Sequence, residues 1–206
     1  LRRQRQMCIR DSIVFMFAPL LHPAMRHVGP VRRDLGITTV MNILGPLTNP
    51  AGARRQVVGV ADPALLDLIV HALAELGHVR ALVVHGEPGM DEISPAGPTE
   101  VAELDGGEVR RFRVTPAELG VEAGSLEALA GGEPEDNARV ITGILDGTIR
   151  DAARTAVVLN AGGAIYTGGG VGSLEEGVRR AEASVDSGAG MAKLEALREA
   201  STRGSV

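Results

Sequence analysis

Two short apolar runs flanking one amphipathic stretch constrain this chain more than any other feature. Arg55 to Val60 contains Gln-Val-Val-Gly-Val, and Ala81 to Val84 is apolar throughout. Both suit strands covered on two faces. Between them Leu65, Leu66, Ile69, Ala72, Leu73 and Leu76 recur at helical spacing. Asp62 stands where an N-cap would, Pro63 at the first helical position and Gly77 at the stop. Strand, helix, strand of this kind predicts a parallel pair joined by a right-handed crossover. The next loop, Gly86 to Ser94, then lies at the carboxyl end of a strand, where open α/β sheets place their ligands. The expected fold class is α/β, with a largely parallel sheet flanked by helices.

The rest of the chain reads in shorter pieces. Thr99–Glu103 and Glu108–Val114 alternate around Asp105-Gly106-Gly107, which predicts a hairpin with a tight turn. Pro116–Leu119 and Ser125–Leu129 suit single helical turns. Longer helices are expected from about Glu135 to Leu145 and from Asp151 to Tyr166. Ser173 opens a capping box with Glu176, and the last helical region is interrupted at Gly188–Gly190. The glycine cluster at 168–170 lacks the preceding strand and the spacing of a nucleotide loop, so it reads as a chain break. Upstream, Met25, Val28, Val31 and Leu35 give one apolar face to a helix with Pro23 at its start and Gly36 past its end.

Charge and composition exclude several functions. The 44% hydrophobic and 23% charged content marks a globular chain able to bury a core, and the 2% aromatic content leaves that core to Ala, Val, Leu and Ile. The longest apolar runs are too short to span a bilayer, and no cleavable leader follows the basic start, so a cytoplasmic protein without a membrane partner is expected. Cys8 is the one cysteine, which excludes an internal disulfide and a cysteine-rich zinc site. The formal charge is −5; the first twelve residues hold four Arg and one Asp, +3, which leaves −8 on the other 194. A basic arm of this kind suits an anionic surface or foreign sequence joined to the fold, and residues 1–12 are set apart from the domain at 13–206.

Several residues stand out chemically, each with a plain alternative. Asp91 and Glu92 are adjacent carboxylates on a loop rich in glycine and proline. They suit magnesium, which takes one or two carboxylates and keeps several waters, or else a solvated acidic turn. Arg32 sits beside the apolar stripe of its helix, where its planar fork reaches a carboxylate or simply solvent. His22 is either a hydrogen-bonding wall of a site or a helix-terminal residue, and Gly45 and Pro46 are either backbone neighbours of a ligand or a turn. His27, His71, His78 and His85 are too scattered for a metal and read as structural or exposed. Ser94 has no histidine and aspartate pattern that would make it a nucleophile.

The chain resembles the anthranilate phosphoribosyltransferase family. The likeness runs through Phe-Met-Phe-Ala-Pro at 15–19, His-Pro-Ala-Met-Arg at 22–26, Asn-Ile-Leu-Gly-Pro-Leu-Thr-Asn-Pro at 42–50 and Gly-Glu-Pro-Gly-Met-Asp-Glu-Ile-Ser at 86–94. It continues at Asp-Asn-Ala, 136–138, Leu-Asn-Ala-Gly-Gly-Ala-Ile-Tyr, 159–166, Ser-Leu-Glu-Glu-Gly-Val, 173–178, and Asp-Ser-Gly, 186–188. It covers roughly residues 13–200. The resemblance implies a catalytic domain of the nucleoside phosphorylase and phosphoribosyltransferase type, a homodimer when complete. That enzyme transfers phosphoribosyl from phosphoribosyl pyrophosphate to anthranilate in tryptophan biosynthesis. Asp91 and Glu92 match the pair that helps hold magnesium, and Arg32, His22, Gly45 and Pro46 match the anthranilate site. Thr38 and Met41 depart from the family, which commonly has Arg and often Phe there. The family's helical domain, glycine-rich pyrophosphate loop and Lys-His-Gly-Asn segment would all precede Ile13, so this chain is expected to be a carboxyl-terminal part, inactive by itself.

Two rivals are weighed against this. A pyrimidine nucleoside phosphorylase shares the fold and chemistry, but the long motif at 42–50 favours the anthranilate enzyme. A nucleic-acid-binding relative would need Lys and Arg in excess, which the −8 of the family-like region opposes.

Overall fold

The computed structural model describes residues 13, 16, 34, 44, 45, 47–49 and 51–203. The chain divides into two units, Arg54–Ala192 and a second made of Leu1–Ala53 with Lys193–Val206.

In the first unit β1 (Arg55–Gly59), α1 (Leu65–Glu75) and β2 (Arg80–Gly86) follow one another, then β3 (Thr99–Asp105) and β4 (Glu108–Val114). They form one sheet in the order β1-β2-β3-β4. β1 and β2 are parallel, with Val57 beside Leu82 and Val58 beside Val83, so the crossover expected from the apolar runs is present. α1 buries Leu66, Ile69, Val70 and Leu73, the stripe read from the sequence. Each such side chain contributes about 1.5–3 kcal/mol. The helix begins later than its capping residue suggested. Asp62 accepts the Ala64 N–H at 2.9 Å, and the Leu65 N–H donates to the Asp62 carbonyl. Asp62 and Pro63 therefore close a turn ahead of the helix, the positions those residues favour in a type I turn.

The sheet corrects the expectation of a largely parallel arrangement. Among the described strands only β1–β2 is parallel, while β2–β3 and β3–β4 are antiparallel. No helix separates β2 from β3 or β3 from β4, and without a crossover a strand can only return alongside its predecessor. Asp105 pairs with Glu108 across the hairpin. Gly106 at φ 60° and Gly107 at φ 98° form its two-residue turn, a conformation that glycine accepts without strain.

The helical layer of this unit consists of a 3₁₀ turn (Leu126–Leu129), α2 (Pro134–Asp146), α3 (Ala152–Thr167) and α4 (Leu174–Asp186); α5 (Ala189–Arg203) follows and belongs mostly to the second unit. α3 lies on β1 and β2 and packs most extensively against α4. The shared core includes Leu82, Val84, Ile93, Val101, Leu159 and Val178. Asp151 caps α3 by accepting from the Ala153 N–H at 2.9 Å. Ser173 caps α4 through the Glu176 N–H at 3.1 Å, while Glu176 reaches back one residue beyond the cap, to the Gly172 N–H at 3.0 Å. No helix among the described residues is long and apolar enough to cross a membrane.

In the second unit Leu44, Gly45 and Leu47 are helical. Thr48 Oγ1 donates to the Leu44 carbonyl at 3.0 Å, and Asn49 Oδ1 accepts from the Ala51 N–H at 2.9 Å. The helix expected from Pro23 to Leu35 lies outside the described residues except for Asp34, which is helical.

Candidate functional site

The loop after β2 is folded back on its own strand. Gly86 and Met90 exchange both backbone hydrogen bonds, at 2.9 and 2.7 Å, and the Glu87 N–H donates to the Pro98 carbonyl at 2.9 Å. Ser94 is spent on the same fold. Its hydroxyl donates to the Glu87 carbonyl at 2.6 Å and accepts from the Ala96 and Gly97 N–H groups at 3.2 Å. With its oxygen committed on both sides and the residue 1% exposed, Ser94 is a structural serine, as its sequence context indicated. Glu87 pairs with Arg113 at 2.6 Å. Asp91 and Glu92 differ from it: both are exposed, and no ion pair among the described residues reaches either one.

Two contacts from elsewhere in the fold decide where this loop lies. Gly59, at the end of β1, has the Asp91 backbone where a side chain would be, since a Cβ there would stand 1.4 Å from the Asp91 oxygen. On the helical side, Ile93 is 1% exposed. The Asn160 amide of α3 brackets it, Oδ1 accepting from the Ile93 N–H at 2.9 Å and Nδ2 donating to the Ile93 carbonyl at 3.0 Å.

Asp91 and Glu92 line one side of a cleft of about 700 Å³, whose other walls come from residues 128–131, α2 and α3. Those walls are mainly apolar, with Leu129, Val140, Ile141 and Val157 among them. Asn137, on α2, faces the same cleft and ties down its rim: Oδ1 accepts from the Gly132 N–H and Nδ2 donates to the Gly132 carbonyl, both at 3.0 Å. Asn137 and Asn160 both stand inside the family-like motifs at 136–138 and 159–166, which by themselves assign neither residue a role. A polar residue inside an otherwise apolar helical stretch was the one available sign for Asn160, whereas Asn137 stands among Glu135, Asp136 and Arg139, where nothing sets it apart.

Among the described residues no group of three or more His, Cys, Asp or Glu is assembled. Two carboxylates side by side and open to solvent fit a hard ion that completes its shell with water and ligand oxygens, and they do not fit a fully protein-enclosed metal. Among the described histidines His85 Nδ1 donates to the Val60 carbonyl at 2.9 Å, His78 Nδ1 donates to the Leu73 carbonyl at 3.0 Å, and His71 is exposed, while His27 lies outside the described residues. The glycine cluster is likewise occupied by the protein's own groups, with Arg55 donating to the Thr167 carbonyl at 2.9 Å and Arg180 to the Gly170 carbonyl at 3.0 Å. His22, Arg32 and Pro46 lie outside the described residues. Gly45 is exposed, with open space where a side chain would go.

A second set of ionisable groups lies at the opposite end of the sheet. Glu103 of β3, fully buried, accepts from Arg110 Nε at 2.6 Å and from the Tyr166 hydroxyl at 2.7 Å. Burial, followed by the Glu103 carboxylate, pushes the Tyr166 hydroxyl above its usual pKa. Hydrogen bonding to Glu103 likewise raises that of Arg110. Arg80 lies over the Tyr166 ring, 4.8 Å from its centroid, and pairs with Asp105. That hydrogen bond holds the Asp105 carboxyl below its ordinary value.

The chain as a whole is similar to known proteins. The profile of the glycosyl transferase family, a/b domain, matches residues 2–191. The anthranilate phosphoribosyltransferase of Rubrobacter xylanophilus is 51% identical over 197 residues, 95% of this chain and 58% of the relative. That of Haloferax volcanii is 51% identical over 94% of this chain and 58% of its own length. Among solved structures, the Thermus thermophilus anthranilate phosphoribosyltransferase superposes with a TM-score of 0.90 at 42% identity, covering 96% of this chain and 58% of that one. The Saccharomyces cerevisiae enzyme in complex with PRPP and Mg gives 0.88 at 28% identity over 96% and 57%. A further yeast structure holds 4-fluoroanthranilate. The chain thus spans about 58% of the length of the curated relatives it matches.

Proposed function

The chain belongs to the glycosyl transferase family through its a/b domain, and from that premise we propose that it is the carboxyl-terminal part of an anthranilate phosphoribosyltransferase. Residues 13–206 form part of the catalytic domain. The complete enzyme works as a cytoplasmic homodimer and transfers the phosphoribosyl group of phosphoribosyl pyrophosphate to the amino group of anthranilate, releasing pyrophosphate. The observation that carries this reading is the exposed Asp91–Glu92 pair beside the cleft at the carboxyl end of the parallel strands. The 51% identity to enzymes of that name supports it over a nucleoside phosphorylase.

In this reading Asp91 and Glu92 hold magnesium together with the donor. When bound, the ion offsets negative charge on the leaving pyrophosphate. The loop holds the backbone that carries both carboxylates before the donor arrives, so binding reorganises the side chains and not the loop. Arg32 takes the anthranilate carboxylate in its fork, and His22, Gly45 and Pro46 form the wall that orients the ring and its amino group.

A chimera tests the proposal. Residues 13–206 replace the matching part of the Rubrobacter xylanophilus relative, and N-(5-phosphoribosyl)anthranilate and pyrophosphate are assayed with anthranilate, donor and magnesium. The expected result is magnesium-dependent product. A chimera that folds with the parent's melting behaviour yet makes no product, while the parent does, would overturn it.

A further inference from the structure

We infer that Asn160 is a positioning residue for the carboxylate pair, fixing the Asp91–Glu92 loop to the helical layer through the backbone of Ile93. The functional importance given to the pair rests on the reading above; the mechanical claim rests on the following contacts.

The loop's own hydrogen bonds, between Gly86 and Met90 and between Ser94 and Glu87, close it on itself at the edge of β2. They leave its second half tied to nothing beyond the sheet. Ile93, the residue after Glu92, supplies that tie. Asn160 takes both of its backbone groups, and its second N–H donates to the Ala156 carbonyl one turn back on α3 at 2.9 Å. Both amide N–H donors are satisfied by carbonyls and the amide oxygen by an N–H, so the orientation of the amide is unambiguous. The arrangement imitates a neighbouring strand. A helix side chain here supplies the donor and acceptor that the sheet does not offer.

Space and chemistry leave few substitutes for this residue. A Cβ on Gly163, one turn further along α3, would stand 2.9 Å from Ile93 Cδ1, so the helix is bare where Ile93 lies against it. Glutamine would carry its amide one methylene too far. Aspartate would keep the acceptor but set a negative oxygen against the Ile93 and Ala156 carbonyls. Leucine would fill the volume and leave the Ile93 N–H and carbonyl buried without partners, the costly side of hydrogen-bond loss. With Gly59 admitting the Asp91 backbone from the sheet side, the two residues on either side of Glu92 are held from opposite layers of the domain.

Hydrogen exchange followed by mass spectrometry on the 206-residue chain tests the inference. Peptides over 87–95 report the loop and peptides over β2 serve as the internal reference. Asn160→Leu should accelerate loop exchange about 10- to 100-fold, the factor set by losing hydrogen bonds to one buried peptide group, with β2 unchanged. Asn160→Asp, which keeps the volume and the acceptor, should act in the same direction. Loop exchange that stays within about twofold of the parent in both variants, or loop and β2 accelerating together, would overturn the inference by making Asn160 idle or a general core residue.

Manganese(II) provides a second arm, read from water-proton relaxation on the same chain. Asn160→Leu should weaken carboxylate-dependent manganese binding several-fold, and unchanged binding despite a loosened loop would sink the positioning role. Asp91→Asn with Glu92→Gln separates the two ideas. If manganese binding survives that double change, the metal assignment fails, while the exchange result still decides whether Asn160 holds the loop.

Discussion

The two ends of the sheet treat their carboxylates in opposite ways. Where β2 begins, Glu103 is buried against Arg110 and Tyr166, and Asp105 is paired with Arg80. Where β2 ends, Asp91 and Glu92 stand exposed beside the cleft, and it is their backbone that is constrained. A carboxylate whose lone pairs are taken by guanidinium and phenol groups stabilises the fold and has no capacity left for a ligand. One held only through its neighbours' peptide groups keeps that capacity. The difference shows what to examine when acidic residues cluster: the partner of each oxygen matters more than the number of acids.

The largest effect is expected at the paired end. Arg110→Met keeps the aliphatic stem along the sheet but leaves the buried Glu103 carboxylate with Tyr166 alone. Removing one member of a buried ion pair costs about 3–5 kcal/mol, and the 67% exposed Arg110 side chain puts this case near 3 at most. A urea titration at neutral pH should show the midpoint fall with little change in slope. An unaltered midpoint would mean that water already screens the pair.

A smaller, pH-dependent effect is expected at Asp105. Its hydrogen bond to Arg80 lowers its folded-state pKa from the ordinary 3.8. The stabilisation is therefore fully present above that value and is lost as the pH falls through the lower folded value. The Asp105 side chain is 51% exposed, so the contribution is below about 1 kcal/mol. Asp105→Asn should melt slightly below the parent at pH 6, with the gap narrowing as the pH drops under 4. A constant gap across that range would show that the pairing does not depend on charge.

The same contrast explains how much could be read without coordinates. Elements marked by local chemistry were legible, including the hairpin turn at Gly106–Gly107 and the cap at Ser173. The Glu103–Arg110 pair was within reach too, since the two residues are register partners across that hairpin. Tyr166 joining them depends on how α3 lies over the sheet, which no local pattern encodes. Asn160 meets Ile93 across 67 residues, and Gly59 meets Asp91 across a crossover. The antiparallel pairing of β2 with β3 was missed for a different reason: the apolar period of 81–84 suits a buried strand of either direction, and the connection to its next neighbour decides which. The Asp91–Glu92 pair could be named from its motif, but its exposure and its fixed backbone could not.

The smallest expected stability effect belongs to the cleft pair. Asp91→Asn with Glu92→Gln keeps the shape of both side chains and removes two charges that no described cation balances. Their backbone anchors, the Gly86–Met90 ladder and the Asn160 bracket on Ile93, are untouched by the change. Surface substitutions away from such anchors stay within about 0.5 kcal/mol. Relief of repulsion between adjacent like charges sets the sign, toward slight stabilisation. A melt in buffer free of divalent ions should therefore superpose on that of the parent or lie slightly above it, in contrast to the fall expected for Arg110→Met. A loss of more than about 1 kcal/mol, the ordinary scale of a hydrogen bond, would mean that Asp91 or Glu92 already has a structural partner. The distinction between a committed and an available end of the sheet would then collapse.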